Sequence, residues 1–285
     1  METYKKMKLF QIATYIGFLF LVFVMVFPLV VTLVGSFMSQ IELEFYYFGS
    51  DSVRWLRLTP DRFTLVQYKE ALLLNTDFTR ALLNSFKLAA LSTLDMLLIA
   101  LPAAFAIAFC RFPCKKVVVV LYLFLMLLPY QALEIPHFLS LRSMGLLGMD
   151  VAVRITNIFD TMEVVILSAL FCTISKDTLE AAALDGANKV KTLVHVVLPQ
   201  IKHGVITVAL LKFINAWNLT EQPLLFLENS TQYPLSVLLS ALNEEFWQNS
   251  FAFSIVFLLP PLLLYLFFRD DLRETIAMGE RKVTS

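Results

Sequence analysis

The sequence predicts an all-α integral membrane protein with six transmembrane helices, for three reasons. Hydrophobic residues make up 58% of its 285 residues and charged residues only 16%, whereas soluble domains average about 45–50% and about 25%. The mean hydropathy of +0.73 also favours an integral membrane protein. Finally, six apolar stretches approach or exceed the roughly 20 residues that a helix needs to cross a bilayer. They are 10–37, 82–109, 117–138, 155–174, 204–226 and 251–268.

The first stretch begins like a secretory signal peptide, because lysines precede an apolar run. However, residues 9–38 contain no charge over 30 residues and lack an obvious small-residue cleavage site. We therefore expect a retained helix, with residues 1–38 forming a cytoplasmic N-terminus and the first transmembrane helix.

The loops between the six stretches predict the orientation, because cytoplasmic loops carry an excess of Lys and Arg. Fourteen such residues fall on the side that holds both termini, the 110–116 turn and the 175–203 loop, and seven fall on the opposite side. Both termini, including the tail 271–285, are therefore predicted to be cytoplasmic. Residues 39–80 become an extracytoplasmic lobe, and residues 81–270 a transmembrane domain of five helices.

Two of the six stretches contain an ionisable residue, Asp95 in the second and Lys212 in the fifth. A charge at the bilayer centre costs about 2.5–3.5 kcal/mol on insertion scales, so such residues are candidates for function. Asp95 fits a solute or gating contact, or a packing hydrogen bond to another helix or subunit. Lys212 fits snorkelling to the interface or an ion pair with Asp95. The sequence leaves these alternatives open.

The residues that follow Lys212 combine amides, an aromatic ring and a carboxylate. They are Asn215, Trp217, Asn218 and Glu221. An aromatic face beside amides suits a sugar, whose C–H face stacks on the ring while its hydroxyls need donors and acceptors. These four residues, with Asp95 and Lys212, form a candidate solute pathway. Trp217 is equally compatible with an anchor at the membrane interface.

The loop 175–203 has the pattern of two short helices joined by a tight turn. Asp177 fits the N-cap of the first helix, with Glu180 three residues on in capping-box spacing. Gly186 supplies a left-handed turn. A second helix starts near Asn188, and Pro199 is expected to end it.

The second of these helices has an apolar stripe at helical spacing. The stripe consists of Val190, Leu193, Val194 and Val197. On a cytoplasmic loop, such a stripe needs either a groove on a partner or the membrane surface. Glu180 and Asp185 would face anionic headgroups on the membrane, which favours a protein partner.

Other chemistries find little support. The chain has no G-x-x-x-x-G-K-[ST] motif, so it does not bind ATP phosphates by the usual loop. Cys110, Cys114 and Cys172 form neither a metal-binding pattern nor a disulfide framework, so we expect no metal and no cofactor in this chain. The net charge of zero gives no indication of a nucleic-acid partner.

Residues 180–199, EAAALDGANKVKTLVHVVLP, resemble the EAA loop of binding-protein-dependent ATP-binding-cassette (ABC) importers. Other stretches are similar to the sugar-type permeases, the family of the maltose transporter's inner-membrane subunits. They are FTLVQYKEALL at 63–73, PAAFAIAFCRFPCKK at 102–116, LPYQALEIPHFLSLRSMGLLG at 128–148 and AWN at 216–218. The resemblance implies a type I ABC importer permease fold in a prokaryotic cytoplasmic membrane.

The resemblance also implies that the EAA loop docks onto a separate ATPase. The residues expected to couple the two proteins are Glu180, Ala181, Ala182, Asp185, Gly186, Ala187, Leu193 and Pro199. The expected partners are a second, homologous permease, two ATP-binding subunits that hold ATP and Mg²⁺, an extracytoplasmic solute-binding protein and membrane lipid.

The expected function is therefore carbohydrate import, with no enzymatic activity in this chain. Import of an amino acid, a phosphonate or a glycerophosphate by the same machinery is an alternative. A membrane-embedded enzyme using Asp95, Glu134, His137 and Glu163 is a remote one, because Asp95 lies mid-span and the others near the outer ends. A secondary transporter would need two repeated halves, which the sequence lacks.

Overall fold

The structure, a computed structural model, describes residues 2–48, 57–158, 161–241 and 249–283. Every regular element in these ranges is a helix. The α-helices are α1 (Glu2–Gly35), α2 (Gln40–Leu43), α3 (Val66–Lys69), α4 (Thr76–Phe109), α5 (Lys115–Met126), α6 (Gln131–Ser143), α7 (Asp150–Asn157), α8 (Thr161–Phe171), α9 (Lys176–Leu184), α10 (Lys189–Lys191), α11 (Leu198–Gln200), α12 (Lys202–Trp217), α13 (Glu221–Phe226), α14 (Leu235–Ser240) and α15 (Ser250–Val283). Shorter segments are π-helical at Glu44–Phe48, Glu70–Leu74 and Thr192–Val197, and 3-10 at Ser230–Gln232. Residues 49–56 of the predicted lobe lie outside the described chain.

Three of the described helices are long and apolar enough to cross a membrane: Gln11–Gly35 within α1, Thr76–Phe109, and Ser250–Ala277 within α15. Two bent helix pairs raise this number to five if each pair is one span. The shorter apolar helix α8 has 11 residues and lies within the fourth predicted stretch. The chain is therefore an all-α, multi-pass membrane protein, and the stretches predicted at 10–37, 82–109 and 251–268 are confirmed as long apolar helices.

The stretch predicted as one helix at 117–138 is instead two helices. The bend between α5 and α6 is 105°, and the residues that separate them include Pro129. Proline has no N–H to donate, and its ring clashes with the carbonyl four residues earlier. The prediction of one continuous helix was wrong because it counted apolar residues and gave no weight to Pro129.

The predicted stretches 155–174 and 204–226 are also interrupted. α7 ends at Asn157 and α8 begins at Thr161, with residues 159–160 outside the described chain. α12 ends at Trp217, and the next residue, Asn218, turns its side-chain amide back to donate to the carbonyl of Ile214 at 2.8 Å. An asparagine that bonds its own backbone favours a helix end, because it offers the chain an alternative to the helical ladder.

The segment predicted as a separate tail, 271–285, continues the last transmembrane stretch. α15 runs without interruption from Ser250 to Val283. Its residues 269–277 alternate acidic, basic and apolar side chains without Pro or Gly, which lets a helix propagate past the end of the apolar stretch.

Contacts within the chain define two compact units, residues 1–79 with 241–258 and residues 80–240 with 259–285. In the first unit, the most apolar window of α1 has 0% of its residues buried in the protein. A uniformly apolar helix that buries none of itself in its own chain has the surface expected of a lipid-facing span.

Gln67 holds the centre of the first unit together. Its side chain is fully buried and donates to the carbonyls of Gly35 at 2.9 Å and Met38 at 2.7 Å. Its oxygen accepts from the N–H of Ala252 at 3.4 Å. Because a buried amide stabilises a fold only when its polar atoms are paired, Gln67 ties α3 to the end of α1 and to the start of α15.

Glu42 organises the described part of the lobe. It accepts from the N–H of Ser39 at 2.7 Å and, nineteen residues along the chain, from the N–H of Asp61 at 2.7 Å. Burial raises the pKa of Glu42, but hydrogen bonds from Ser39, Asp61 and Arg62 outweigh burial, so the pKa lies below its ordinary value of 4.5. The carboxylate form therefore stabilises this part of the fold.

The second unit is built around α4, α8 and the 175–203 loop. Its main apolar cluster includes Met96, Ala100, Phe105, Leu167, Phe171, Val197 and Ile201. Gly204 of α12 lies so close to α8 that an added Cβ would be 2.6 Å from Cδ1 of Leu170. The loop and α12 are thus parts of the packed core of this unit.

Candidate functional site

The first arm of the 175–203 loop is α9, which begins two residues before its predicted start. Ser175 is the N-cap, because its Oγ accepts from the N–H of Thr178 at 3.4 Å. Asp177 lies in the first turn, where its carboxylate interacts favourably with the positive end of the helix dipole. The predicted capping pair of Asp177 and Glu180 is therefore wrong, and Glu180 is exposed on α9.

The hairpin turn lies at Gly186, as predicted. Gly186 has φ +76°, and its N–H donates to the carbonyl of Ala183 at 3.1 Å. An L-residue pays about 1–2 kcal/mol in this conformation. No described atom beyond its near neighbours lies within 4 Å of an added Cβ. Glycine is therefore required here by the backbone conformation and not by lack of space.

The second arm starts at the predicted place. Asn188 is its N-cap, with Oδ1 accepting from the N–H of Lys191 at 2.8 Å. Pro199 was expected to end the arm, and the helical arm continues only one residue beyond it, to Gln200. The chain turns at Ile201, with an angle of 87° between the arm and α12.

The predicted apolar stripe divides into two faces. Leu193 and Val197 pack against the core of the second unit. Val190 and Val194 are 69% and 47% exposed, and Leu184 at the end of α9 is 89% exposed. We call Leu184, Val190 and Val194 the hairpin patch. The hairpin is thus held by one face and presents apolar side chains on another.

The other residues predicted to take part in coupling differ in exposure. Glu180, Ala181, Asp185, Gly186 and Pro199 are exposed, Ala187 and Leu193 are partly exposed, and Ala182 is buried. The structure therefore brings most of the predicted set to the surface of the hairpin.

A polar cluster joins the start of α12 to α15. The Nδ1 of His203 lies 2.6 Å from Oδ1 of Asp271, and its Nε2 lies 2.8 Å from Oε2 of Glu274. One turn further, the hydroxyls of Thr207 and Thr275 are 2.9 Å apart. We call these five residues the hinge clamp, because they begin two residues after the turn at Ile201. The sequence prediction missed it, although both helices carry the partners at matching four-residue spacings.

The ionisable residue of the second stretch has a partner that was not predicted. Arg154 of α7 donates to both carboxylate oxygens of Asp95, from Nε at 2.7 Å and from Nη2 at 2.9 Å. Two parallel bonds of this kind are the strongest geometry for the pair. From the sequence, Arg154 was counted only among the charges of the outer loops, and its role as the partner of Asp95 was missed.

Lys212 does not pair with Asp95, which was one of the two interpretations open for it. Its side chain is only 2% exposed, and Nζ lies 3.8 Å from Oε1 of Glu163. The same ammonium donates to the backbone carbonyl of Asn157 at 2.8 Å. Snorkelling is excluded for the same reason, because a side chain this buried does not reach the interface. Lys212 therefore supports the end of α7 from inside the protein.

The remaining candidates for the solute pathway do not share one surface. Trp217 is fully buried and packs edge-on against Phe86 at 4.8 Å between ring centroids, so it forms part of the core. Asn215, Asn218 and Glu221 are exposed. Among the described residues, no cluster of His, Cys, Asp or Glu has an arrangement that would hold a metal ion.

A cavity of 600 Å³ lies at the two helix interruptions of this unit. The α5–α6 bend contributes Leu128 and Tyr130, and the α7–α8 interruption contributes Asn157 and Thr161. The candidate solute pathway predicted from the sequence lies elsewhere, although His137, named there for the enzyme alternative, lines this cavity. Pro129 was the available signal, since a proline within an apolar stretch marks a break in the helix.

Comparison with known proteins agrees with this architecture. Residues 96–272 match the family described as the inner membrane component of binding-protein-dependent transport systems. The chain is 27% identical over 261 residues to the sulfoquinovosyl glycerol transport system permease protein of Agrobacterium fabrum, covering 90% of this chain and 88% of that one. It is 26% identical to the arabinooligosaccharides transport system permease protein of Halalkalibacterium halodurans, covering 89% and 90%.

A solved structure has the same fold. It is a bacterial ABC transporter involved in the import of the acidic polysaccharide alginate, with a TM-score of 0.81, 22% identity, and coverage of 92% of this chain and 96% of that chain. The family match spans most of the second unit, including the 175–203 hairpin, the cavity and the hinge-clamp residues His203, Thr207 and Asp271. The chain belongs to the family of inner membrane components of binding-protein-dependent transport systems, and is a permease subunit of an ABC importer.

Proposed function

We propose that this permease subunit carries a carbohydrate into a prokaryotic cell and is driven by ATP hydrolysis on separate subunits. The observation that carries the proposal is the hairpin patch, an exposed apolar surface on a loop whose other face is anchored in the core. Such a surface needs a partner that covers it. In a chain of this family, that partner is the ATPase.

The acidic residues beside the patch are suited to the same contact. Glu180 and Asp185 are exposed, and within the described chain their side chains make no hydrogen bond or ion pair. They are free to meet cations or backbone N–H groups at the rim of a groove. Closure of two ATPases would then move the hairpin, and the hairpin would move α12 through the turn at Ile201.

The topology follows from this assignment. The six spans are α1, α4, α5 with α6, α7 with α8, α12 with α13, and α15, with both termini and the hairpin in the cytoplasm. Residues 1–38 form the N-terminus and first span, 39–80 the extracytoplasmic lobe, 81–270 the transport domain, and 271–285 the cytoplasmic tail. The partners are a second permease, two ATPases and an extracytoplasmic solute-binding protein.

One observation favours a carbohydrate as the solute, and another argues against an enzyme. The relatives from A. fabrum and H. halodurans, which match about nine tenths of this chain, are named for a sugar-containing glycerol compound and for oligosaccharides. Two of the three carboxylates that a membrane enzyme would use are engaged, since Asp95 is bonded to Arg154 and Glu163 lies beside Lys212.

The test is solute uptake and solute-stimulated ATP hydrolysis by the complete transporter. Leu184→Asp and Val190→Asp place a charge in the hairpin patch and are expected to abolish both activities. Leu65→Asp is the control, because Leu65 is also exposed, at 56%, but lies far along the chain in the lobe. All three variants should reach the membrane in equal amounts.

A second pair of variants separates docking from backbone strain. Gly186→Ala and Gly145→Ala carry the same conformational cost, because both glycines have positive φ, +76° and +67°, and both have open space around an added Cβ. Only Gly186→Ala is expected to lower coupling. Normal uptake in the Leu184→Asp and Val190→Asp variants, or equal losses for the two glycine variants, would refute the proposed coupling.

A further inference from the structure

Two interrupted helices border the same cavity in the second unit. The cavity has a volume of 600 Å³ and is lined at both the α5–α6 bend and the α7–α8 interruption. Non-helical backbone in a spanning segment is tolerated only where it is buried in protein or lines a water-filled cavity. In transporters, interrupted helices at one level of the membrane commonly mark the solute site.

The polar wall of the cavity consists of uncharged donors and acceptors. Its members are Tyr130, His137, Ser140, Thr156, Asn157 and Thr161. Hydroxyl, amide and imidazole groups both donate and accept, which is what a solute with many hydroxyls requires. The Nδ1 of His137 is buried and has no hydrogen-bond partner among the described residues. A hydroxyl of a bound solute would supply that partner.

The same wall of the cavity contains two aromatic rings. Tyr130 and His137 lie with ring centroids 6.0 Å apart and an angle of 45° between the planes. Apolar side chains from α5, Leu125 and Met126, complete the lining on that side. A sugar ring has an apolar C–H face and a polar edge, so a wall with aromatic and polar groups side by side fits both.

The lack of charged side chains in the cavity lining favours uncharged polyhydroxylated solutes over anionic ones. The described residues that line the cavity include no Lys, Arg, Asp or Glu. The buried cation behind it, Lys212, is engaged with Glu163 and with the carbonyl of Asn157. An anion would therefore lose its hydration without gaining a counter-charge from this wall, whereas a neutral polyol exchanges its bonds to water for bonds to protein.

We propose that this cavity binds an uncharged, polyhydroxylated solute of about one or two sugar rings, the size that pockets of roughly 300–1,000 Å³ accept. The inference rests on the proposed function and narrows it, because it excludes uronates, sugar phosphates and glycerophosphates as the transported solute. It also assigns a solute subsite to this subunit, at residues that differ from the candidates on α12 and α13.

The first measurement identifies the solute. Cells that express the complete transporter are tested for uptake of a radiolabelled panel, in which neutral mono- and disaccharides and alditols are matched with uronates, sugar phosphates and glycerol phosphate. Uptake that requires this chain is expected for a neutral member. Uptake of an anionic member and refusal of its neutral counterpart would overturn the inference while leaving carbohydrate transport intact. A panel with no uptake would overturn the proposed function itself.

The second measurement locates the solute. Cys110, Cys114 and Cys172 are replaced by Ala in the complete transporter, and Ser140→Cys is compared with Ser143→Cys. Ser140 lines the cavity, whereas Ser143 lies about one turn further along α6 and is exposed outside it. The probe is a water-soluble, uncharged methanethiosulfonate, because the cavity is proposed to disfavour anions. Thr156→Cys serves as a second cavity position if Ser140→Cys does not support uptake before modification.

The transported solute is expected to slow modification at Ser140→Cys about tenfold when it is present at ten times its Kd, and to leave Ser143→Cys unchanged. Modification at Ser140→Cys is also expected to stop uptake, because it fills part of the cavity after folding is complete. Equal rates with and without a transported solute at both cavity positions would overturn the site assignment.

Discussion

The ion pair between Asp95 and Arg154 provides a measurable test of how this protein tolerates charge within its spans. Replacing Asp95 with Asn leaves the guanidinium of Arg154 without its carboxylate in a site where both side chains are largely buried, at 19% and 24% exposure. Removing one partner of a buried pair costs about 3–5 kcal/mol. We take about 3 kcal/mol, because a part of each side chain remains exposed.

That cost converts into a thermal shift. A protein or domain of roughly 150–250 residues loses about 2–4 °C of Tm for each kcal/mol, so the Asp95→Asn variant is expected to unfold about 6–12 °C below the parent protein. The double variant Asp95→Asn with Arg154→Met removes both charges and is expected to recover most of the loss, since neutral replacements of buried pairs are often tolerated. Thermal unfolding of the purified transporter in detergent measures both shifts.

The stability of the Asp95→Asn variant is compared with that of a control variant and with that of the double variant. Asp270→Asn is the control, because Asp270 is 77% exposed and its ion pairs at 3.7 Å contribute little. An Asp95→Asn variant as stable as the parent, or a double variant less stable than either single variant, would refute the reasoning. Uptake by the double variant then separates the two roles proposed for Asp95: normal uptake assigns it to packing, and lost uptake with restored stability assigns it to the pathway.

Three further predictions concern other polar contacts. Gln67→Leu leaves two buried carbonyls unpaired and is expected to destabilise the first unit by about 2–3 kcal/mol, measured as faster hydrogen exchange in 36–43 and 64–74. Because the pKa of Glu42 is lowered, the stability that its carboxylate contributes is present above about pH 4.5 and is lost as pH falls below that value. Hydrogen exchange in the lobe should therefore rise at acid pH in the parent protein but not in the Glu42→Gln variant. His203→Ala removes the bonds to Asp271 and Glu274 and is expected to increase exchange in 269–277 and to lower coupling, whereas His195→Ala, at an exposed position on the hairpin, should do neither.

The hairpin was predictable because its signals are local. Gly186 adopts the left-handed conformation that the turn required, and Asn188 caps the second arm. Both features depend on a few neighbouring residues and on backbone chemistry. The error at the start of the first arm is of the same local kind, since Ser175 and Asp177 are both good capping residues and only the entry angle of the chain selects between them.

The pairing of buried charges was not predictable in the same way. Asp95 bonds to a residue 59 positions away in the chain, and the alternative partner Lys212 was equally plausible by composition. The pairing of helices depends on their crossing angles and on where they break. Hydropathy contains no information on either. The break at Pro129 carries a sequence signal, but the interruption between α7 and α8 has no Pro or Gly to mark it.

α12 connects the two sites of the second unit and gives the proposed transport a mechanical basis. It begins beside the turn at Ile201, where the hairpin ends, and carries Lys212, which donates to the carbonyl of Asn157 at the cavity wall. Eleven residues separate Ile201 from Lys212, which is about 16 Å along a helix. The absence of a Cβ at Gly204 lets α12 pack closely against Leu170 of α8, so a movement of α12 would also displace α8. Under the proposed coupling, a displacement of the hairpin patch would be transmitted through α12 to the end of α7 that borders the cavity. The buried Lys212 would join these two ends, because it lies on α12 and its ammonium donates to the carbonyl of Asn157 at the end of α7.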